Sequence, residues 1–147
     1  MKILLVDDDA DDCLLFCEAI NVIDDNIECV IANNGAEALL KLDAIVPDII
    51  FMDINMPVLD GKECLKQIKS TEILKNIPTV ICSTSSDQIE INDILNMGAG
   101  YITKPVSFDL LVKSLREFII PLKIQLWINS LRSEYFDSTN HLQSKFA

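Results

Sequence analysis

The sequence predicts an α/β fold: a doubly wound, five-stranded parallel sheet of order 2-1-3-4-5 with helices on both faces. Apolar strand-like runs alternate five times with amphipathic stretches along the chain. Such strict alternation is typical of parallel strands joined by right-handed helical crossovers. Two of the runs, Ile3–Val6 and Ile49–Met52, are apolar throughout, as expected of strands buried on both faces. The 147 residues, half of them hydrophobic, are enough for one core.

The individual elements follow from two patterns in the sequence: short apolar runs predict strands, and apolar residues at helical spacing predict helices. The predicted strands are Lys2–Val6, Ile27–Ala32, Asp48–Met52, Thr79–Ser83 and Gly100–Thr103. Apolar residues at helical spacing predict the helices Ala10–Asn21, Asn34–Leu42, Lys62–Ser70, Gln88–Met97 and Ser107–Ile119. Asn34 and Ser86 are the expected N-caps of the second and fourth helices, since each offers a side-chain oxygen. Gly61 opens the third helix and Gly98 ends the fourth.

The residues after 120 form a separate extension in this scheme. Pro121 interrupts the helical pattern, and residues 121–136 then show a second amphipathic helix with Ile124, Trp127 and Leu131 on one stripe. The stripe has two interpretations, docking onto the chain's own domain or forming a homodimer interface. Residues 137–147 are polar and are predicted to fray. The expected organisation is therefore a domain over 1–120, an extension over 121–136 and a flexible tail.

Composition excludes several classes of function. The formal charge of −11 argues against a nucleic-acid partner, because phosphate binding needs a basic face. No apolar run approaches the roughly 18 residues of a membrane span, so no membrane partner is expected. The start of the chain has too short an apolar run for a signal peptide, which predicts a cytoplasmic protein.

Histidine and cysteine chemistry is also restricted. His141 is the only histidine, which excludes multi-histidine metal sites and Ser-His-Asp or Cys-His catalysis. The five cysteines form no CxxC pair. We interpret them as small core residues in a reducing compartment; Cys13 and Cys17, four residues apart, leave a metal site as the alternative.

Polar side chains follow the strands at the edge where all carboxyl ends meet. Asp7 and Asp8 follow the first strand, Asp53 the third and Lys104 the fifth, while Ser83 ends the fourth. Crowded carboxylates need a cation or must take up protons, and oxygen ligands favour Mg²⁺. A carboxylate beside Mg²⁺, with a hydroxyl and an ammonium aimed at the same point, is equipped to accept a phosphoryl group.

With these residues, the chain resembles the receiver domain of two-component response regulators. The resemblance covers about residues 1 to 120, and the order and spacing of its motifs also fit. The matching segments are Leu5-Val6-Asp7-Asp8-Asp9, Asp53-Ile54-Asn55-Met56-Pro57-Val58-Leu59-Asp60-Gly61, Ser83-Thr84-Ser85 and Tyr101-Ile102-Thr103-Lys104-Pro105.

The resemblance implies a role for each residue of the acidic edge. Asp53 would be the phosphoacceptor, and Lys104 would pair with a phosphoryl oxygen. Asp8 and Asp53 would bind Mg²⁺ (or Mn²⁺) directly, with Asp7 acting mostly through water. The backbone carbonyl of Asn55 would be a further ligand.

The same resemblance implies a switch. Ser83 would contact the phosphoryl group, although Thr84 and Ser85 are also hydroxyl residues at this turn. Tyr101 would be the switch aromatic that rotates inward as Ser83 is drawn to the phosphate; the alternative is a plain packing residue. A cis peptide between Lys104 and Pro105 is also implied by the family.

The predicted function is that of a stand-alone phosphoacceptor and not an enzyme. A sensor histidine kinase or a phosphotransfer protein would donate to Asp53, and the signal would pass by contact with a downstream protein through the fourth helix, fifth strand and fifth helix. Two alternatives remain open. A phosphatase of the haloacid dehalogenase type would want an acid where Asn55 stands, and a scaffold that accepts no phosphate would not need the full set of residues.

Overall fold

The computed structural model describes the backbone of residues 1–146 and the side chains of residues 1–133. Its strands are β1 (Lys2–Val6), β2 (Glu28–Ala32), β3 (Ile49–Asp53), β4 (Thr79–Ser83) and β5 (Gly100–Thr103). Its helices are α1 (Ala10–Ile23), α2 (Gly35–Leu42), α3 (Gly61–Ser70), α4 (Gln88–Asn96) and α5 (Phe108–Phe146). Every predicted strand is present, each within one residue of its expected ends.

The sheet is parallel throughout and has the order β2-β1-β3-β4-β5, which confirms the predicted doubly wound, flavodoxin-like topology. Ile3 of β1 lies between Cys29 of β2 and Ile49 of β3. The strand order therefore reverses between β1 and β3. In open α/β sheets, the crevice at this reversal is where ligands bind.

The central strands bury both of their faces. Leu4 and Met52 belong to a core cluster on one face, together with Ala38 of α2, Leu65 of α3 and Ile94 of α4. On the other face, the rings of Phe51 in β3 and Phe16 in α1 meet edge to face, with centroids 5.1 Å apart. A buried side chain of this kind stabilises a fold by about 1.5–3 kcal/mol, so these two strands contribute strongly to the stability of the sheet.

The helix starts follow local capping rules, with one correction. Asn34 caps α2 as predicted, since its side chain accepts from the Glu37 N–H. The predicted cap Ser86 is wrong, because Asp87 caps α4 through a 2.9 Å hydrogen bond from the Ile89 N–H. A carboxylate at that place also has a favourable interaction with the positive end of the helix dipole.

The predicted break at Pro121 is also wrong, because α5 continues through it. Proline removes one backbone hydrogen bond, to the carbonyl of Glu117, and both residues are exposed, so water can replace the lost donor. The chain divides into two compact units, Met1–Val112 and Lys113–Ala147. Residues 137–146, which were predicted to fray, lie within α5, and residue 147 lies outside the described residues.

Among the described residues, no helix has the length and hydrophobicity needed to cross a membrane.

Candidate functional site

Backbone pairing brings four of the predicted site residues to one edge of the sheet. The Asp7 N–H donates to the Ala32 carbonyl at 3.0 Å, which continues the β1–β2 pairing past the end of β1. Asp53 is the last residue of β3 and lies opposite Cys82. The Lys104 N–H donates to the carbonyl of Ser83 at 2.7 Å. The edge predicted from the sequence is therefore present.

Lys104 is the centre of the site, because its ammonium contacts three carboxylates. Its Nζ lies 2.7 Å from Asp12 Oδ2, 2.9 Å from Asp7 Oδ2 and 3.3 Å from Asp53 Oδ2. Burial favours the neutral amine, but the hydrogen bonds to Asp12 and Asp7 outweigh it and raise the pKa of Lys104 above its usual value. Lys104 is therefore a permanent cation at physiological pH.

The sequence did not predict the contribution of Asp12. Of the acids at residues 7–12, only Asp7 and Asp8 were predicted to lie at the site. Acids are common in the first turn of a helix, so the sequence around Asp12 carried no signal for a role at the site. The partner on β5 could be identified only from the tertiary structure.

Asp7, Asp8 and Asp53 form a group in which one carboxylate oxygen from each lies within 4.8 Å of the others. Asp7 is buried, Asp53 is partly buried and Asp8 is exposed. The Asp9 N–H holds the second oxygen of Asp7 at 2.9 Å. Such a donor set fits a hard cation such as Mg²⁺, which takes a few carboxylates and keeps several waters on its open side.

The carboxylate of Asp53 is held at both oxygens. Oδ1 accepts the Ile54 N–H at 2.8 Å, and Oδ2 faces Lys104. Burial raises the pKa of Asp53; Lys104 opposes this shift, and Asp7 adds to it. An adjoining cavity of about 90 Å³ is lined by Asp53 together with the apolar side chains of Phe16 and Met52.

A close backbone contact fixes the end of β3. A Cβ on Gly61 would lie 2.1 Å from the carbonyl oxygen of Asp53, so a larger residue would displace the start of α3. The Gly61 N–H donates to the Ile54 carbonyl at 2.8 Å. Because α3 begins directly against β3, the segment that carries Asp53 has little freedom to move.

The fourth strand ends in a buried hydroxyl. Ser83 is fully buried and its Oγ accepts the Ser85 N–H at 3.2 Å, whereas Thr84 is exposed. The Tyr101 hydroxyl donates to the Ser85 carbonyl at 2.8 Å. Tyr101 also packs against the core cluster, so its ring connects the core with the loop after β4.

The peptide bond before Pro105 differs from the expectation. The described residues contain no cis peptide, so the cis bond expected at Lys104–Pro105 is wrong. The trans form is the lower in energy for an X–Pro bond, and Lys104 reaches the site through its backbone and ion-pair contacts. Beside it, burial raises the pKa of the Cys82 thiol to about 12, so the thiol is neutral at pH 7.

For Asn55, the structure shows the position in the chain but does not test the predicted role. Asn55 lies in an exposed turn two residues after Asp53, where its carbonyl stays a predicted ligand. Ser83, Lys104 and Asp53 lie at the same edge, as expected.

The fold and this edge define a flavodoxin-like α/β protein with an acidic site at the topological switch point. Residues 3–116 match the response regulator receiver domain, and the chain belongs to that family. Receiver domains are signalling modules of two-component systems, and the family uses Mg²⁺ bound by acidic residues.

The relatives agree with this assignment. Chemotaxis protein CheY of Listeria monocytogenes is 33% identical over 122 residues, covering 80% of this chain and 97% of that protein. The phosphorylated cyanobacterial phytochrome response regulator RcpA aligns with a TM-score of 0.74 at 36% identity, covering 81% of this chain and 93% of that one. The Mn²⁺-bound form of response regulator Rcp1 aligns with a TM-score of 0.72 at 29% identity, covering 79% of this chain and 89% of that one. The chain spans about 37% of the length of other curated relatives it matches.

The raised pKa of Asp53 predicts that Asp53→Asn stabilises the metal-free protein at pH 7. A carboxylate with a raised folded-state pKa destabilises the fold at any pH where it is ionised. The melting temperature of the variant in EDTA should therefore exceed that of the wild type at pH 7. The gap should narrow as the pH falls through the raised pKa, because Asp53 then becomes neutral.

The matched control is Glu18→Gln, which removes an exposed carboxylate of α1. Its melting temperature should follow the wild type across the same pH range. An Asp53→Asn protein that melts below the wild type at pH 7 would contradict the unfavourable environment assigned to this carboxylate.

Proposed function

We propose that this chain is a cytoplasmic response regulator that accepts a phosphoryl group on Asp53 in a Mg²⁺-dependent reaction. The donor is a sensor histidine kinase or a phosphotransfer protein, and the signal leaves by contact with a downstream protein. The observation that supports this proposal is the arrangement of a partly buried Asp53 carboxylate against the Lys104 ammonium and two further acids.

The two oxygens of Asp53 have different surroundings, which suits attack by one of them. Oδ1 is engaged by the Ile54 N–H, which orients the carboxyl plane. Oδ2 faces the ammonium of Lys104, where a transferred group would meet a positive charge. Phosphoryl transfer requires little covalent chemistry from a protein beyond positioning and charge stabilisation. Lys104 can supply the charge stabilisation by pairing with a phosphoryl oxygen.

Asp7, Asp8 and Asp53, with the Asn55 carbonyl, would hold the Mg²⁺ (or Mn²⁺). When bound, the ion neutralises negative charge on the acids and on the phosphoryl group. The exposed side of Asp8 leaves room for the waters that Mg²⁺ retains.

The loop after β4 would transmit the change. Ser83 Oγ accepts a hydrogen bond from the Ser85 N–H, and its own proton is free to point to a phosphoryl oxygen. Movement of Ser83 would pull on Ser85, to whose carbonyl Tyr101 is bonded. A phosphate at Asp53 would thus favour a second packing of this loop and of Tyr101.

The two alternatives have less support. A haloacid dehalogenase-type phosphatase needs a proton donor two residues after the nucleophile, and the Asn55 amide cannot act as a general acid. A scaffold without phosphoacceptor activity has no use for a partly buried carboxylate with a raised pKa beside a lysine.

Incubation with acetyl phosphate and Mg²⁺ should add one phosphoryl group to the wild type, measured by intact mass. Asp53→Asn should abolish the adduct, because the amide is no nucleophile, and EDTA should suppress it. Glu18→Gln serves as the control and should be modified like the wild type. A phosphatase would instead hydrolyse added phosphoesters with turnover, and a scaffold would gain no phosphate; either result would contradict the proposal.

The switch proposal predicts that the environment of Tyr101 changes on phosphorylation. With fluorotyrosine incorporated, the fluorine resonance of Tyr101 should shift or split when the phosphodonor is added. Tyr135→Phe leaves Tyr101 as the sole tyrosine and so assigns the signal. An unchanged resonance in a fully phosphorylated sample would eliminate the switch role and leave Tyr101 as a packing residue.

We further propose that the receiver domain comprises residues 1–120 and that the extension over 121–136 forms a homodimer interface. On α5, four large apolar side chains are exposed and follow one another at intervals of four, three and four residues: Ile120, Ile124, Trp127 and Leu131. This is the spacing of a coiled-coil seam. Trp127 is 63% exposed and is the largest of them.

The dimer is tested by sedimentation of the full chain. The wild type should sediment as a dimer, and Trp127→Glu should sediment as a monomer because a charge then enters the seam. Gln125→Glu adds the same charge two residues away, outside the seam, and should remain dimeric. A monomeric wild type would favour the other interpretation of the stripe.

A further inference from the structure

Asp12 makes the shortest of the three ion pairs of Lys104. The distance is 2.7 Å, against 2.9 Å to Asp7 and 3.3 Å to Asp53. The three partners also differ in exposure, since the Asp12 side chain is 43% exposed while those of Asp7 and Asp53 are 6% and 13% exposed. Asp12 is therefore both the nearest partner of Lys104 and the one that water can replace most easily.

The position of Asp12 is set by the start of α1. Asp9 is the N-cap of this helix, and its Oδ1 accepts the N–H groups of Asp11 at 2.9 Å and Asp12 at 3.2 Å. The cap holds the backbone of Asp12 at a defined place facing β5. Its carboxylate is thus presented to Lys104 by a fixed helix end.

The ammonium of Lys104 has three N–H donors, and three carboxylates already lie around it. A phosphoryl group on Asp53 would bring new acceptor oxygens and about two negative charges. That group takes the place of the Asp53 carboxylate, whose own charge is lost in the acyl phosphate, and Lys104 can turn fully toward it only by weakening its contact with Asp7 or Asp12. Asp7 is buried more deeply, so separation from Asp12 leaves less unsolvated charge behind.

We propose that Asp12 is a positioning residue that holds Lys104 away from the incoming phosphoryl group and so slows phosphorylation of Asp53. The inference rests on the proposed function of Asp53 as phosphoacceptor. The transfer begins with Lys104 shared among three acids, and Asp12 gives up its share as the phosphoryl group arrives. The residue therefore sets how readily the protein is phosphorylated by a donor of given strength.

The test compares initial phosphorylation rates at fixed acetyl phosphate and Mg²⁺. Asp12→Asn should raise the rate about two- to fivefold, the range expected from loss of one partly exposed ion pair. Asp12→Glu keeps the charge and should return the rate toward that of the wild type. Asp11→Asn is the matched control, because it removes an exposed acid from the same turn, and its rate should equal the wild type.

A second measurement follows Lys104 itself without any phosphodonor. In Asp12→Asn, acylation of Lys104 by an amine-reactive reagent, read by peptide mass, should be faster than in the wild type. Lys66, which pairs with Glu63 on α3, is the internal reference and should react equally in both proteins. A purely structural role of Asp12 would not accelerate the labelling of one lysine alone.

Each outcome decides between the claims. An unchanged or lower phosphorylation rate in Asp12→Asn, or an equal increase in Asp11→Asn, would overturn the role of Asp12, the second by showing a general effect of net charge. A wild type that gains no phosphate at all would instead overturn the proposed function, on which this inference depends. The two failures are thus distinguishable.

Discussion

The sharing of one ammonium among three carboxylates is the interaction on which the acidic edge depends. Lys104 comes from the segment after β5, and its partners come from the ends of β1 and β3 and from the start of α1. Without this cation, Asp7, Asp8 and Asp53 would repel one another in a partly buried place. The site is therefore a balance of charges that a divalent ion or a phosphoryl group would disturb, and that sensitivity is what a signalling site needs.

Burial of Asp53 also affects the energies of the charges at this edge. The apolar side chains around Asp53 lower the local dielectric, so the ion pairs are stronger than on an open surface and the ionised carboxylate is more costly. The same sheet that stabilises the fold through β1 and β3 thus destabilises the groups at its edge. The apolar residues that stabilise the fold and the carboxylates of the site are therefore only a few residues apart along the same strands.

Much of this could be predicted from the sequence because the informative signals are local. A strand buried on both faces needs four apolar residues in a row, and parallel strands bring their ends together whatever the loops do. The placement of Asp53, Ser83 and Lys104 followed from these two facts. The errors arose where two local signals compete, as at Ser86 and Asp87, or where an exposed helix tolerates a proline, as at Pro121.

The role of Asp12 could not be predicted in this way, because acids are common in the first turn of any helix. Only the position of α1 relative to β5, which the tertiary packing determines, distinguishes Asp12 from its neighbour Asp11. The trans bond before Pro105 is a similar case, since a pattern common in a family does not fix the isomer in one member. Contacts between residues far apart in sequence are what local reasoning lacks.

The contact of Gly61 with the carbonyl of Asp53 makes the edge of the sheet mechanically asymmetric. On one side, β3 and the start of α3 abut so closely that they must move as a single body. On the other side, the segment after β4 is held by a few single hydrogen bonds that can exchange partners. In the proposed function, a charge added at Asp53 would therefore displace the loop after β4 more easily than the junction of β3 and α3.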